Sequence, residues 1–239
     1  MEIVKKHLTN GQYMTSAYPK NSIFLHHTAG LNAEGAWQWW NQTPDRVGTP
    51  FIIDRNGVIV ECFDPSIWAF HLGLTNDDNF HESHSVSIEL VSGGQLYEEK
   101  GVFKFYPLYP NINYYTLIPK EEVYTFNKPW RGHLYYHKYT DAQIKALTEL
   151  IAYLVKLFPG ITIPTPLGNF YEYNPAIVAE HSGGLWSHST VRADKTDIFP
   201  QESLIQALED LATTLVLTPK RATQAATSSK NKGKQAQTL

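Results

Sequence analysis

Leu25-His26-His27-Thr28-Ala29-Gly30 ends a short apolar run that begins at Ser22. A run of this length, bounded by Pro19 and Gly30, predicts a buried β-strand that delivers its last side chains to an edge or a cleft. Successive side chains of a strand point to opposite faces, so only one of His26 and His27 is expected to reach a given metal ion.

Two further segments, far along the chain, carry groups that suit hydrolytic zinc chemistry. They are Ala179-Glu180-His181-Ser182, which follows an apolar run, and Lys195-Thr196-Asp197. In an extended segment Lys195 and Asp197 face the same side, which would place an ammonium group beside a metal-bound carboxylate. Two imidazoles and one carboxylate are a recurrent ligand set for a catalytic zinc that keeps one position for water.

The remaining periodic segments predict strands interleaved with helices, which favours an α/β fold with a central mixed β-sheet flanked by helices. A strand over Val86–Val91 carries Glu89 near its end, and the approach to His181 is predicted as a short strand. The other predicted elements are a helix over Ala33–Asn41 capped by Asn32, a hairpin around Arg55-Asn56-Gly57, a helix from Thr140 to Phe158, and a last helix from Pro200 to about Leu211.

The sequence predicts a single domain over residues 1–218, with an aromatic-rich, proline-rich insertion over about 95–139. Residues 219–239 hold five basic residues and no acidic residue, lack apolar periodicity, and are predicted to be a solvated, disordered tail. The tail is therefore not assigned to nucleic-acid binding. Cys62 is the only cysteine and excludes an intramolecular disulfide.

The first residues show no basic-then-apolar pattern, and no apolar run is long enough to cross a membrane. We therefore expect synthesis in the cytoplasm without a signal peptide and no transmembrane segment.

Six pieces in order resemble the zinc-dependent N-acetylmuramoyl-L-alanine amidases of the type 2 family, whose fold is shared with peptidoglycan recognition proteins and several phage amidase-type lysozymes. The pieces are His26-His27-Thr28-Ala29-Gly30, Phe51-Ile52-Ile53-Asp54-Arg55-Asn56-Gly57, Ala69-Phe70-His71-Leu72-Gly73, Ser87-Ile88-Glu89-Leu90, Glu180-His181-Ser182 and Lys195-Thr196-Asp197. The likeness spans roughly residues 23–211.

The resemblance implies a role for each matching position. His26, His181 and Asp197 would bind Zn²⁺, Glu89 would act as the general base, and Lys195 would stabilise the oxyanion. His71, Thr28 and Trp68 would contact the substrate, which would be bacterial peptidoglycan or a muropeptide.

The chain departs from the family pattern in two places. Thr49-Pro50 stands where many relatives carry a catalytic Tyr and often a His, so no phenol would help at the oxyanion. The spacing from His181 to Asp197 is longer than usual and includes His188, a rival ligand, while Asp194 is a rival carboxylate. We prefer His181 because it follows the apolar run.

Other histidines are given no role in the site. His133 and His137 have the spacing of helical zinc proteases but lack the Glu that such a motif needs after its first His. His81 and His84 lie in a polar stretch and are expected to be exposed.

The predicted activity is hydrolysis of the amide between the muramic-acid lactyl group and L-alanine of the stem peptide, in a monomeric phage-type lytic enzyme that acts on the cell wall. Three alternatives remain open: a wall-binding module without activity, a cytosolic amidase that recycles muropeptides, and a zinc hydrolase that cuts within the stem peptide.

Overall fold

The computed structural model describes residues 1–108, 110–168 and 170–217; the predicted tail lies outside them. Its strands are β1 (Ile3–Lys5), β2 (Ser22–His27), β3 (Phe51–Ile53), β4 (Ile59–Glu61), β5 (Ser85–Leu90), β6 (Gln95–Glu99), β7 (Val102–Phe105), β8 (Thr116–Ile118), β9 (Val123–Trp130), β10 (His133–His137) and β11 (Gly184–Ser187). Its helices are α1 (Ala33–Gln42), α2 (Phe80–His84), α3 (Asp141–Leu157), α4 (Ala176–Ala179), α5 (His188–Val191) and α6 (Glu202–Leu217), with a 3₁₀ turn over Lys120–Glu122.

A six-stranded mixed sheet forms the centre of the molecule, in the order β1-β4-β3-β5-β2-β11. Strands β3, β5, β2 and β11 run parallel, and β4 joins β3 through the predicted antiparallel hairpin. The carboxyl ends of parallel neighbours meet at one edge of a sheet, so the residues that end β2, β5 and β11 are brought together.

Helices cover both faces of this sheet, which confirms the mixed α/β class. On one face Ile23 and Leu25 pack with the apolar stripe of α3 and with Leu208 of α6. On the other face Trp40 of α1 packs in a cluster with Ile52. The predicted caps are also confirmed: Asn32 accepts from the Gly35 amide, and Thr140 forms a capping box with Gln143.

The aromatic-rich insertion builds a second sheet of five antiparallel strands, in the order β8-β7-β6-β10-β9. Ser92 ties it to the end of β5, because its hydroxyl donates to the His137 carbonyl at 2.7 Å. The second sheet therefore starts directly beyond the strand that carries Glu89.

Three sequence predictions about local structure are wrong. The approach to His181 is the short helix α4 rather than a strand, and the strand that enters the sheet is β11, a few residues later. His81 lies on α2 with its side chain fully buried instead of exposed. The last helix also runs on to Leu217. Among the described residues no helix is both long and apolar enough for a membrane span.

Candidate active site

Three ligand atoms from distant parts of the chain converge at the carboxyl edge of the central sheet. His26 Nδ1 lies 3.1 Å from both His188 Nδ1 and Asp197 Oδ2, and His188 Nδ1 lies 3.0 Å from the same Asp197 oxygen. All three residues are buried. His26 ends β2, His188 follows β11 directly, and Asp197 lies in the segment that leads to α6.

The alternation of β2 brings only His26 of the pair to the cluster. His26 projects on the same side of the strand as Phe24. His27 projects on the opposite side, where its Nδ1 lies 3.1 Å from the Tyr139 hydroxyl, and its burial lowers its pKa to about 4. His27 therefore belongs to the core, and His26 alone of the pair faces the cluster.

The second imidazole of the cluster comes from His188, so the prediction of His181 is corrected. The His181 ring is half exposed and stacks on Phe80 with centroids 4.1 Å apart. The physical reason is the position of β11: Leu185 pairs with Ile23 of β2, so the residue after β11 reaches the same edge as His26. His181 precedes this strand and lies toward its opposite end.

The rival carboxylate Asp194 does not join the cluster. It is exposed and forms an ion pair with Arg192 at 2.6 Å, and its hydrogen bonds to Arg192 hold the pKa of the carboxyl below its usual range. Asp197 is thus the acid that faces both imidazoles.

The outer nitrogens of both rings have hydrogen-bond partners. His188 Nε2 lies 3.0 Å from the Leu72 carbonyl oxygen, and His26 Nε2 lies 3.0 Å from His71 Nδ1. A carbonyl oxygen only accepts, so Nε2 of His188 carries the proton and, in the neutral ring, Nδ1 presents a lone pair to the cluster.

The protonation states of His26 and Asp197 also favour binding of a cation. Burial lowers the pKa of His26 to about 4, so its ring is neutral at pH 7. Burial opposes ionisation of Asp197, but His188 and His26 outweigh it and hold the pKa of that carboxyl well below its usual range. Neutral imidazole and ionised carboxylate are the forms that bind metal ions.

The donor set fits zinc in both chemistry and spacing. Lone pairs that converge within 3.0 to 3.1 Å repel each other unless a proton or a metal cation lies between them. Ligands about 2.0–2.1 Å from a tetrahedral zinc ion stand about 3.3 Å apart, close to the observed separations. His26, His188 and Asp197 therefore form a site that a zinc ion can occupy with little rearrangement.

Glu89 lies beside this cluster, on the neighbouring strand β5 and in register with His26. Its Oε2 is buried and has no hydrogen-bond partner among the described residues. Burial and the nearby charge of Asp197 raise the pKa of Glu89 well above its usual value, while Lys195 partly opposes that rise. A carboxyl with a raised pKa holds a proton more readily than an exposed glutamate does, which suits a group that carries a proton during a reaction.

Lys195 is partly exposed and forms no ion pair within the described part of the chain. Its positive charge acts on both Glu89 and His26. The next residue, Thr196, donates its hydroxyl hydrogen to Gln95 Oε1 at 3.1 Å, which anchors this segment to the first strand of the second sheet. The ammonium group is thus held close to the cluster without a permanent counterion.

The structure places His71, a predicted substrate contact, directly beside the cluster. Its ring is buried and lies between His26 and Ser85, whose Oγ is 3.0 Å from His71 Nε2. Trp68 packs edge-on against Phe70 and is not among the residues that line the groove described next. The sequence pattern does not mark the burial of the His71 ring, because His71 lies outside the regular elements.

A groove of about 500 Å³ lies between α1 and the part of the insertion that follows β7, and Glu89 is among the residues that line it. The residues that line it include Thr28, the exposed Trp39 of α1 and the exposed Leu108 of the insertion. Among the described residues that line it, Glu89 is the only charged one. The groove gives a ligand access to the Glu89 side of the cluster.

Comparison with known proteins is consistent with this site. A family model, Amidase_2, described as N-acetylmuramoyl-L-alanine amidase, matches residues 16–202. Among curated proteins no sequence matches the chain. Similar solved structures include PlyL, at 12% identity and a TM-score of 0.50 over 87% of this chain and 98% of that one.

Two further structures show the same level of likeness. The catalytic domain of PlyG has 12% identity and a TM-score of 0.50, covering 95% of this chain and 100% of that one. Staphylococcus aureus hydrolase AmiA, solved in complex with its ligand, has 10% identity and a TM-score of 0.50, covering 90% and 85%. At these identities the likeness establishes the fold.

Proposed function

The chain belongs to the Amidase_2 family of N-acetylmuramoyl-L-alanine amidases, and from this premise we propose that it is a zinc-dependent enzyme that acts on peptidoglycan. The bond cleaved is the amide between the lactyl group of N-acetylmuramic acid and L-alanine of the stem peptide. The strongest support is the convergence of His26, His188 and Asp197 within 3.0 to 3.1 Å of one another, beside Glu89.

His26, His188 and Asp197 are the proposed zinc ligands. A zinc ion held there supplies Lewis acidity toward a water molecule and toward the carbonyl oxygen of the scissile amide. The protein contributes the ligand geometry, the fixed ring orientations, and a buried setting in which charges interact strongly.

Glu89 is the proposed general base and then the general acid. Its carboxylate takes a proton from the attacking water, whose oxygen forms a bond to the carbonyl carbon. The same carboxyl then gives that proton to the departing nitrogen, as the carbon–nitrogen bond breaks. The raised pKa of Glu89 favours uptake of the proton from water.

Lys195 is proposed to stabilise the negative charge that develops on the carbonyl oxygen. Its ammonium group lies close to the cluster and forms no ion pair in the described part of the chain, so it is available to a new anion. Thr49-Pro50 brings no phenol to the site, so Lys195 carries more of this task than it would beside a tyrosine.

Lys195→Met is expected to lower kcat roughly 10²–10³-fold, the usual cost of removing one preorganised donor from an oxyanion site. Zinc content should stay at the wild-type level, because Lys195 contributes no ligand atom to the cluster. Steady-state kinetics on a soluble muropeptide, with metal analysis of the same sample, measure both quantities. A kcat within about twofold of wild type would exclude this role.

The groove between α1 and the insertion is the proposed substrate site. Trp39 and Leu108 offer exposed apolar surface in its lining, and Thr28 offers a hydroxyl. An aromatic and an aliphatic side chain with few nearby charges suit the glycan and the apolar parts of a stem peptide. The proposed partner is thus bacterial peptidoglycan or a muropeptide, and the proposed setting is a monomeric, phage-type lytic enzyme acting on the cell wall.

Purified protein incubated with intact sacculi and with soluble muropeptide tests the proposed function. Mass spectrometry is expected to show free lactyl groups on the glycan and stem peptides that begin with free L-alanine. A chelator should abolish the reaction, and stoichiometric zinc should restore it, because the metal supplies the Lewis acid.

Other outcomes separate the alternatives. New amino termini inside the stem peptide would assign the cut to a different bond. Binding to sacculi without any cleavage by the zinc-loaded protein would identify a recognition module. Cleavage of soluble muropeptide but not of sacculi would favour a recycling enzyme.

A further inference from the structure

The Glu82 carboxylate, on α2, accepts hydrogen bonds from three consecutive backbone amides. His71 N donates to Oε2 at 2.8 Å, Gly73 N donates to Oε1 at 3.0 Å, and Leu72 N lies 3.1 and 3.2 Å from the two oxygens. The side chain is 3% exposed. Burial raises the pKa of Glu82, and these amide donors act against that rise.

No lysine or arginine forms an ion pair with Glu82 in the described part of the chain, so the amide donors are its main polar partners. A carboxylate in this setting fixes the path of the backbone that surrounds it, because each lost amide bond would leave a buried charge less satisfied. The turn over residues 71–73 is thus held by one side chain from another element.

This turn presents one acceptor to each imidazole of the proposed zinc site. His71 Nδ1 faces His26 Nε2 at 3.0 Å, and the Leu72 carbonyl oxygen faces His188 Nε2 at 3.0 Å. The same carbonyl also accepts from Arg192 Nη1 at 3.3 Å. An acceptor at Nε2 keeps the proton on that nitrogen and leaves Nδ1 free to bind a cation.

We propose that Glu82 is a positioning residue of the metal centre: by holding the 71–73 turn, it sets the tautomer and orientation of both histidine ligands at once. This inference rests on the proposed zinc function. Glu82 itself contributes no atom to the cluster of His26, His188 and Asp197 and so acts only through the turn.

The chain of contacts continues beyond His71. Its Nε2 lies 3.0 Å from Ser85 Oγ and 3.5 Å from Glu82 Oε2. With acceptors on that side, the His71 proton resides on Nε2, and Nδ1 keeps the lone pair that His26 requires. Glu82 thus favours the correct form of His71 as well as the correct path of the backbone.

Glu82→Gln tests the proposal, because it keeps the shape of the side chain but replaces one acceptor oxygen by an NH₂ group that faces amide donors. Zinc affinity, measured by competition with a chelating indicator, is expected to fall roughly 10–100-fold. This is the usual loss when the groups that hydrogen-bond to metal ligands are disturbed. Glu61→Gln is the matched control, since Glu61 is also a buried glutamate but contacts His7 and Lys5 instead.

A purely structural role for Glu82 would lower the stability of the metal-free protein without a separate effect on zinc. The melting temperature of each apo variant is therefore measured beside its zinc affinity. Unchanged zinc affinity in a folded Glu82→Gln protein would overturn the proposal.

Two substitutions of His71 keep the proposal testable if Glu82→Gln does not fold. Asn places its side-chain oxygen near the position of Nδ1, whereas Phe fills the space without any acceptor. His71→Asn is expected to bind zinc at least about tenfold more tightly than His71→Phe. Equal affinities would contradict the proposal, whereas a wild-type protein without stoichiometric zinc would contradict the proposed function as well.

Discussion

Glu89→Gln is expected to lower the turnover number roughly 10²–10⁴-fold, the range that a positioned general acid–base supplies. The amide of glutamine cannot take a proton from water or return one to the leaving nitrogen. Zinc content should not fall, because Glu89 is absent from the cluster of His26, His188 and Asp197. Kinetics on a soluble muropeptide and metal analysis of the same preparation measure both quantities.

Thermal stability gives this variant a second, independent readout. Glu89 Oε2 is buried without a partner among the described residues, and the carboxyl stands near the ionised Asp197. Replacing it by an uncharged group of the same shape removes this repulsion, so the melting temperature should equal or exceed that of the wild type. A loss of activity together with a stable fold separates a chemical role from a structural one.

Glu121→Gln is the matched control for Glu89→Gln, because Glu121 is an exposed glutamate in the 3₁₀ turn of the insertion. It should retain wild-type kinetics. If Glu89→Gln kept more than about a tenth of the wild-type turnover, Glu89 could not be the proton carrier, since its removal would cost less than an acid–base group usually supplies.

The sequence predicts the parts of this site that depend on local periodicity. The choice of His26 as the ligand comes from the family resemblance. The strand before His26 is predicted from its apolar run, the expectation that only one of His26 and His27 reaches a metal ion from alternation, and the place of Glu89 near the end of a strand from the pattern around it. Each of these features is decided by residues within a few positions of the group concerned.

The identity of the second imidazole depends on non-local pairing, which sequence periodicity does not contain. Gly184-Leu185-Trp186-Ser187 has one glycine and one serine and gives a weaker strand signal than Ile177-Val178-Ala179. The stronger run instead forms one helical turn, and Ile177 packs with Phe24 and Leu72. A short apolar run fits either state, so its length and composition could not decide the outcome.

Glu82 shows a second limit of prediction from the sequence. It lies in a polar stretch that predicts exposure, yet its carboxylate is buried because the amides of residues 71–73, well before it in the chain, satisfy it. Backbone donors leave no trace in residue type, so no sequence signal marks this contact. The family resemblance marks His71, but only the structure shows its ring in contact with His26.

His188→Ala is expected to abolish stoichiometric zinc binding and to lower activity at least about 10³-fold, because it removes one of three ligand atoms and leaves the cavity to water. His181→Asn is the matched control: His181 stacks on Phe80 outside the cluster, and asparagine tolerates its backbone φ of 51°. That variant should keep wild-type zinc content and activity.

Comparing these two variants decides whether His188 or His181 is the second imidazole ligand. Metal content per chain, measured after dialysis against a weak chelator, is the primary readout, and circular dichroism of the apo proteins shows that His188→Ala still folds. The reverse pattern, with zinc lost from His181→Asn and kept by His188→Ala, would mean that the ring after β11 is not a ligand. Retention of zinc by both variants would mean that a third group, neither His181 nor His188, holds the ion with His26 and Asp197. That outcome would contradict the proposed ligand set, because His188 is the only residue grouped with these two within 4.8 Å among the described residues.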